Sequence, residues 1–353
     1  MLFSSQPLKG LYVLYSILAT LARLPIIISI SLLPSLRPHP KWTFLQTLMN
    51  RLLQEFLYHS AKLRVKTPQN LDPGSWKEKY VTITPGNLSL YTGILTSVPS
   101  IKPTKIGAAW YGDMKSNGEI VLHFHGGGFV IGDARGDAKY AGELMAKYVA
   151  PRALLPDYRL ASNPLGHFPA AIQDSVSAYE YLLSSGIPAH KIIISGDSAG
   201  ASMAIALLRY ISDENSLPAP KAALIWSPPA ELGDVLENTR DMATDYLVDE
   251  FLNWSLDAYT DNGKHDMKQP YMTPLGNPFQ SETPMWVHVG GVEKFCDTAL
   301  RWVKEMREVE GNTVELCVEE LGNHDLMYVG SVNGFKKEAE KAVKMARKFV
   351  DGI

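Results

Sequence analysis

From about Val81 onward, short apolar runs alternate with longer stretches in which apolar residues recur at helical spacing. A strand buried on both faces reads as an unbroken apolar run, so this alternation predicts a mainly parallel sheet with crossover helices, an α/β fold. The predicted strands cover residues 119–124, 153–155, 191–195, 222–226, 285–289 and 314–318. The predicted helices cover 138–149, 169–183, 199–210, 297–309 and 335–350. About sixty residues separate the strands at 222–226 and 285–289. That is too many for one crossover, so an inserted cap over about 230–275 is expected. Its aromatic residues Tyr246, Phe251, Trp254 and Tyr259 have helical spacing and are candidates either for core or for the lining of an acyl pocket.

The region before Val81 is patterned differently. Residues 11–22 (LYVLYSILATLA) and 26–33 (IIISISLL) are apolar, with Arg23 and Pro25 between them. Together they are long enough to cross a bilayer, at a cost of roughly 2.5–3.5 kcal/mol for the central charge. A membrane anchor or interfacial hairpin, a helix pair packed on the protein's own pocket, and a cleaved signal are the three readings. No convincing small-residue cleavage site follows the apolar core. Residues 37–41 (RPHPK) form a proline-punctuated linker, and 42–58 read as one amphipathic helix. The expected organisation is an apolar segment at 1–36, N-terminal cap helices at 37–80 and a catalytic domain at 81–353. Association with a membrane through residues 11–33 is expected, at the endoplasmic reticulum for instance, with a cytoplasmic location as the alternative. The sequons at Asn87 and Asn253 matter only if the domain faces a secretory lumen.

Composition adds little beyond a globular chain: 353 residues, 46% apolar, 20% charged, formal charge −3. No long Lys/Arg run offers the phosphate-neutralising footprint of a nucleic-acid binder. Cys296 and Cys317 are too few for a disulfide framework or a four-cysteine zinc site, and are expected as free thiols.

The chemistry lies at the strand ends. The strand at 191–195 runs into Gly196-Asp197-Ser198-Ala199-Gly200 and then a helix-forming sequence. A nucleophile elbow needs this context: the serine sits on a sharp strand-to-helix turn, and flanking glycines remove clashing side chains. G-x-S-x-G alone is weak, since roughly one chain in eight of this length matches by chance. The strand at 119–124 enters His125-Gly126-Gly127-Gly128-Phe129, whose missing side chains expose backbone N–H groups suited to an oxyanion. The donors expected are Gly126, Gly127 and Ala199. Neither phosphate-binding glycine pattern is present, and His125 suits a structural hydrogen bond. His324, in the loop after the strand at 314–318, is the expected base, ahead of His265 and His288. The acid should leave the preceding strand, where Glu293 and Asp297 both stand. Asp157 and Arg159 are expected as a buried pair bracing the glycine loop.

The pairing of HGGG at 125–128 with GDSAG at 196–200, together with Asp157-Tyr158-Arg159-Leu160-Ala161 and Phe168-Pro169-Ala170-Ala171, resembles the hormone-sensitive-lipase-like family of α/β hydrolases. The resemblance runs from about Lys105 to the C-terminus. It implies an α/β-hydrolase fold with a helical cap built from the N-terminus and an insertion. It also implies esterase or lipase activity without cofactor or metal, and a Ser, acid, His order. Aligned on the family's acid motif, Glu293 takes the catalytic place and Asp297 the second carboxylate. Residues 37–42 and Tyr111-Gly112-Asp113 look like fungal members, some of which act in natural-product pathways or as membrane-bound steryl-ester deacetylases. The expected function is therefore a serine esterase or deacetylase acting on a small hydrophobic ester through an acyl-enzyme on Ser198. A thioesterase or acyltransferase is the alternative within the same chemistry. From another class, a non-catalytic small-molecule receptor similar to the gibberellin receptors shares the scaffold but lacks the histidine that is present here.

Overall fold

The structure, a computed structural model, describes residues 3, 5–233 and 242–353. The part of the expected insertion at 234–241 lies outside the described residues. Near the N-terminus, α1 (Leu8–Leu32) is one continuous helix through Pro25, where a pair of helices was one expectation. An η-turn at Pro34–Leu36 leads to α2 (Phe44–Leu63), whose start is closed by a reciprocal Thr43–Gln46 capping box.

The sheet has eight strands: β1 (Tyr80–Ile83), β2 (Ile106–Gly112), β3 (Ile120–Phe124), β4 (Arg152–Asp157), β5 (Ile192–Asp197), β6 (Ala222–Trp226), β7 (Met285–Gly290) and β8 (Val314–Glu319). Their order is β1-β2-β4-β3-β5-β6-β7-β8, antiparallel at β1/β2 and β2/β4 and parallel elsewhere. Strands β3, β5, β6 and β7 are buried at every position. This is why they read as continuous apolar runs. The antiparallel strands β1 and β2 were not predicted.

The remaining helices are α3 (Lys139–Leu144), α4 (Ala170–Ser184), α5 (Ala199–Glu214), α6 (Asp249–Tyr259), α7 (Cys296–Glu308), α8 (Leu326–Val329) and α9 (Lys336–Asp351). The helix expected over 138–149 is divided, with a π-turn at Met145–Val149 following α3. Two buried clusters line the sheet faces. A third joins Leu57 and Ala61 of α2 to Tyr246, Phe251 and Leu252 of the insertion and to Phe295. It sits where the parallel strands point their C-terminal ends, the customary place for a ligand crevice in such sheets.

The structure replaces one sequence-based pairing. Asp157 accepts hydrogen bonds from Tyr80 Oη and the Ala134 amide, both at 2.6 Å. Arg159 instead forks onto the buried Asp174, with Nη2–Oδ1 at 2.8 Å. Lone buried carboxylates are costly, and Asp174 needs that guanidinium more than Asp157, which has two neutral donors. Cys296 and Cys317 are free and half-buried.

Candidate active site

Strand β5 ends at Asp197, and α5 begins at Ala199. Ser198, between them, has φ 52° and ψ −118°, a conformation that costs a non-glycine residue about 1–3 kcal/mol and persists only where its surroundings enforce it. The neighbours leave no alternative to glycine: a Cβ on Gly196 would stand 2.1 Å from Gly200 O, and one on Gly200 1.9 Å from Phe124 O. The turn thus presents Ser198 Oγ at the N-terminus of a 16-residue helix, where negative charge is favoured.

His324, in the loop after β8, places Nε2 at 2.8 Å from Ser198 Oγ. Its ring lies edge-on to Phe295 at 5.1 Å between centroids, which holds the imidazole plane. Nδ1 faces Glu293 Oε2 at 3.7 Å, too long for a hydrogen bond but close for an ion pair. Burial acts to lower the pKa of His324. The charge of Glu293 acts against it with those of Asp245 and Asp325, and together they carry it up to about 9. Glu293 follows β7 and is itself fully enclosed. Asp297 is exposed in the first turn of α7, two residues past the N-cap Phe295.

Three further residues shape the site and carried no motif in the sequence. Ser227, just after β6 at φ 45°, donates to Glu293 Oε2 (2.7 Å) and accepts the Asp325 amide (3.1 Å), so it joins the acid loop to the base loop. Asp245, from the insertion, accepts the Lys294 amide at 2.6 Å beside Glu293. Asp325 faces Asp197 beneath the glycine loop: a Cβ on Gly126 would lie 2.6 Å from Asp197 Oδ2 and 2.9 Å from Asp325 Oδ2. Burial raises both carboxyls, Asp197 to about 6, so the pair resists full ionisation.

The glycine loop requires a correction. The Gly126 amide donates to Asp197 Oδ2 at 2.8 Å, which commits it to holding the loop and removes it as an oxyanion donor. Gly127 (φ 108°) and Gly128 (φ 60°) line the pocket together with Ser198, Ala199 and His324. Among the described residues, the N–H groups of Gly127, Gly128 and Ala199 have no acceptor. His125 turns away from the pocket, bonds Gly126 O at 2.7 Å and stacks on Tyr158. His265 stacks on His167, and His288 is buried within β7.

The pocket wall is apolar: Leu53 and Leu57 from α2, Phe251, Leu252 and Leu256 from α6, and Phe295. Of the four aromatics considered in the insertion, Tyr246, Phe251 and Tyr259 line it. Trp254 instead packs behind Phe251 and under Arg64. Among the described residues no cluster suits a metal ion.

The chain is similar to several known proteins. An acetyl-hydrolase of Streptomyces hygroscopicus is 30% identical over 61% of this chain and 69% of its own length. An ethyl acetate hydrolase of Pseudomonas putida is 25% identical over 61% of this chain and 68% of its own. A crystal structure of a hormone-sensitive lipase from a metagenome library superposes with a TM-score of 0.59 at 26% identity, covering 70% of this chain and 82% of that one. An esterase/lipase from an uncultured bacterium shares the fold alone, with a TM-score of 0.63 at 22% identity over 87% and 98% of the two chains. The model of the family described as alpha/beta hydrolase fold matches residues 121–328, from β3 through the base loop, and this chain belongs to that family.

Proposed function

We propose that this chain is a carboxylic ester hydrolase working through an acyl-enzyme on Ser198, with His324 as base and Glu293 as its acid. The observation that carries the reading is the 2.8 Å contact of Ser198 Oγ with His324 Nε2, in a pocket that also holds the amides of Gly127, Gly128 and Ala199. His324 takes the Ser198 proton as Oγ attacks the ester carbonyl. The three amides receive the oxyanion, and His324 returns the proton to the departing alcohol. Water then attacks the acyl carbonyl as His324 takes its proton, and His324 passes that proton to Ser198 Oγ as the Oγ–acyl bond breaks and the acid leaves. Glu293 holds the imidazole tautomer with Nδ1 protonated and stabilises the cation formed in each half-reaction. Relatives named for acetyl-ester hydrolysis support an ester as substrate. The apolar wall favours a hydrophobic one, such as a natural-product or sterol ester. In this reading α2 and the insertion form the cap.

The N-terminal helix belongs to the same reading as a membrane contact. α1 is 25 residues long and contains an 18-residue stretch with a mean hydropathy of 2.0. Leu11, Leu14, Leu18 and Leu21 form a stripe on it that is more than half exposed. Residues 1–71 hold eight of the 34 Lys and Arg residues and one of the 37 Asp and Glu residues, which leaves 26 basic against 36 acidic over 72–353. An apolar, basic segment on an acidic domain fits an anionic bilayer surface. Arg23, midway along α1, pairs with Glu55 of α2 at 2.8 Å, and Tyr12 Oη bonds His59 at 3.1 Å. These contacts favour a helix lying in the interface beside the domain over one that carries the ion pair through the bilayer centre.

Labelling with a fluorophosphonate probe, alongside hydrolysis of p-nitrophenyl acetate, tests the reaction. The parent protein is expected to be labelled and active, and Ser198→Ala to lose both. Labelling that persists in Ser198→Ala, or its absence from the folded parent, rejects the reading.

A further inference from the structure

Helix α2 does more than roof the pocket. Its buried face reaches the loop that bears His324 directly and the loop that bears Glu293 through Asp245. Asn50, fully buried, donates from Nδ2 to Ala243 O in the insertion (3.0 Å) and accepts from Asn323 Nδ2 (3.1 Å). Asn323, also fully buried, immediately precedes His324, and its Oδ1 accepts Asn333 Nδ2 at 3.0 Å. The three amides form a ladder across the base loop. The loop is held at one more point from the same side, where Trp42 Nε1 donates to Leu321 O (2.9 Å), and Gln46 Nε2 donates to Gly334 O (3.3 Å) beyond α8.

One helical turn beyond Asn50, Gln54 Nε2 donates to Asp245 O at 2.7 Å, with its Oε1 fixed by Arg51 at 3.0 Å. The Asp245 carboxylate holds the amide of Lys294, the residue after Glu293. Residues i and i+4 of one helix therefore lean on the residue before the base and, through Asp245, on the residue after the acid. Apolar side chains would pack α2 equally well, but they would not fix its register. Buried amides cost free energy unless fully paired, so a paired set selects one geometry.

We propose that Asn50, seconded by Gln54, is a positioning residue of the reaction, setting His324 against Ser198 and Glu293 from a helix outside the loops that bear them. This rests on the assignment of Ser198 and His324 as nucleophile and base. It also gives α2 two duties, because the helix carries α1 on its other side through Glu55 and His59. A shift of α1 and α2 on the domain would then be felt at the histidine.

The test is Asn50→Leu, which keeps the volume and removes the ladder, with Gln54→Leu as the second variant in case the first does not fold. Initial rates on p-nitrophenyl acetate, fluorophosphonate labelling rates and pH profiles are measured in the full chain. A misplaced base is expected to lower kcat and the labelling rate by about tenfold or more while KM stays within about twofold, since misplacement of about 1 Å can cost a hundredfold. The acid limb of the pH profile should also move toward lower pH, because the imidazole leaves Glu293. In a Glu293→Gln background the same substitution should leave that limb in place. Unchanged kcat and pH profile in the folded variants overturn the inference, as does a loss confined to melting temperature. If Ser198→Ala is inactive in the same series, the reading of the reaction survives that failure; if Ser198→Ala stays active, it falls first.

Discussion

At the residue scale, the chemistry rests on charges held where water cannot screen them. In the proposed reaction His324 must be neutral to act as a base, and the carboxylates around it raise its pKa to about 9. The value of kcat/KM should therefore rise with pH through that ionisation. Glu293→Gln removes the nearest charge, so the limb should move to lower pH while the plateau rate falls by roughly a hundredfold or more. Asp297→Asn, at an exposed helix start, should change neither; a larger loss there than in Glu293→Gln would reverse the assignment of the acid. The facing carboxyls of Asp197 and Asp325 make a stability prediction. Their pKa values are raised in the fold, so their contribution is most favourable at low pH and is lost as pH rises above the ordinary carboxylate range through about 6. Asp325→Asn keeps an acceptor for the Tyr328 amide and suits the left-handed backbone at φ 53°. Its melting temperature relative to the parent should improve by roughly 2 °C or more between pH 5 and pH 8, and a difference that is flat with pH would exclude the pairing.

At the element scale, what was legible depended on how completely an element is buried. The strands β3, β5, β6 and β7 announced themselves as apolar runs, and the loops that follow β3, β5, β7 and β8 carry the residues picked out as donors, nucleophile, acid and base. β1 and β2 left no comparable signal. β1 is four residues at a sheet edge, and β2 reads IGAAWYG, where small residues and a terminal glycine mask the strand. The glycine loop shows how local pattern and tertiary contact divide the work. The run of glycines indicates exposed amides, but which amide is free follows from Asp197 reaching across to Gly126, a contact between two strand ends. Gly127→Ala would place its Cβ 2.2 Å from Ile131 O at φ 108°, so activity should fall by about a hundredfold even in molecules that fold. Helix α6 lines the pocket, with Phe251 against Gly128. Phe251→Leu should raise the kcat/KM ratio of octanoyl to acetyl p-nitrophenyl esters by about tenfold; an unchanged ratio would place the acyl chain elsewhere.

At the scale of the whole molecule, an acidic α/β domain carries the basic, apolar pair α1 and α2, of which α2 lines the pocket. Full-length protein should float with vesicles containing anionic lipid, bind neutral vesicles less and release at high salt, whereas a chain without residues 1–36 should stay in the aqueous fraction. Flotation that is indifferent to lipid charge would remove the electrostatic part of the reading. The fold class was legible in the alternation of apolar runs along the chain, and Ser198, His324 and the glycine loop stood out as candidates because each lies within a few consecutive residues whose local geometry demands them. The sequence by itself left the acid open between Glu293 and Asp297, counted Gly126 among the donors and paired Asp157 with Arg159. The contacts that bear on them are tertiary, as are those made by Ser227, Asp245 and Asn50: Glu293 stands beside His324, Gly126 donates to Asp197, and Asp157 accepts from Tyr80. Each depends on which polar groups from distant segments meet in a space closed to water, and a buried polar group takes the partner that satisfies it, however far along the chain that partner lies.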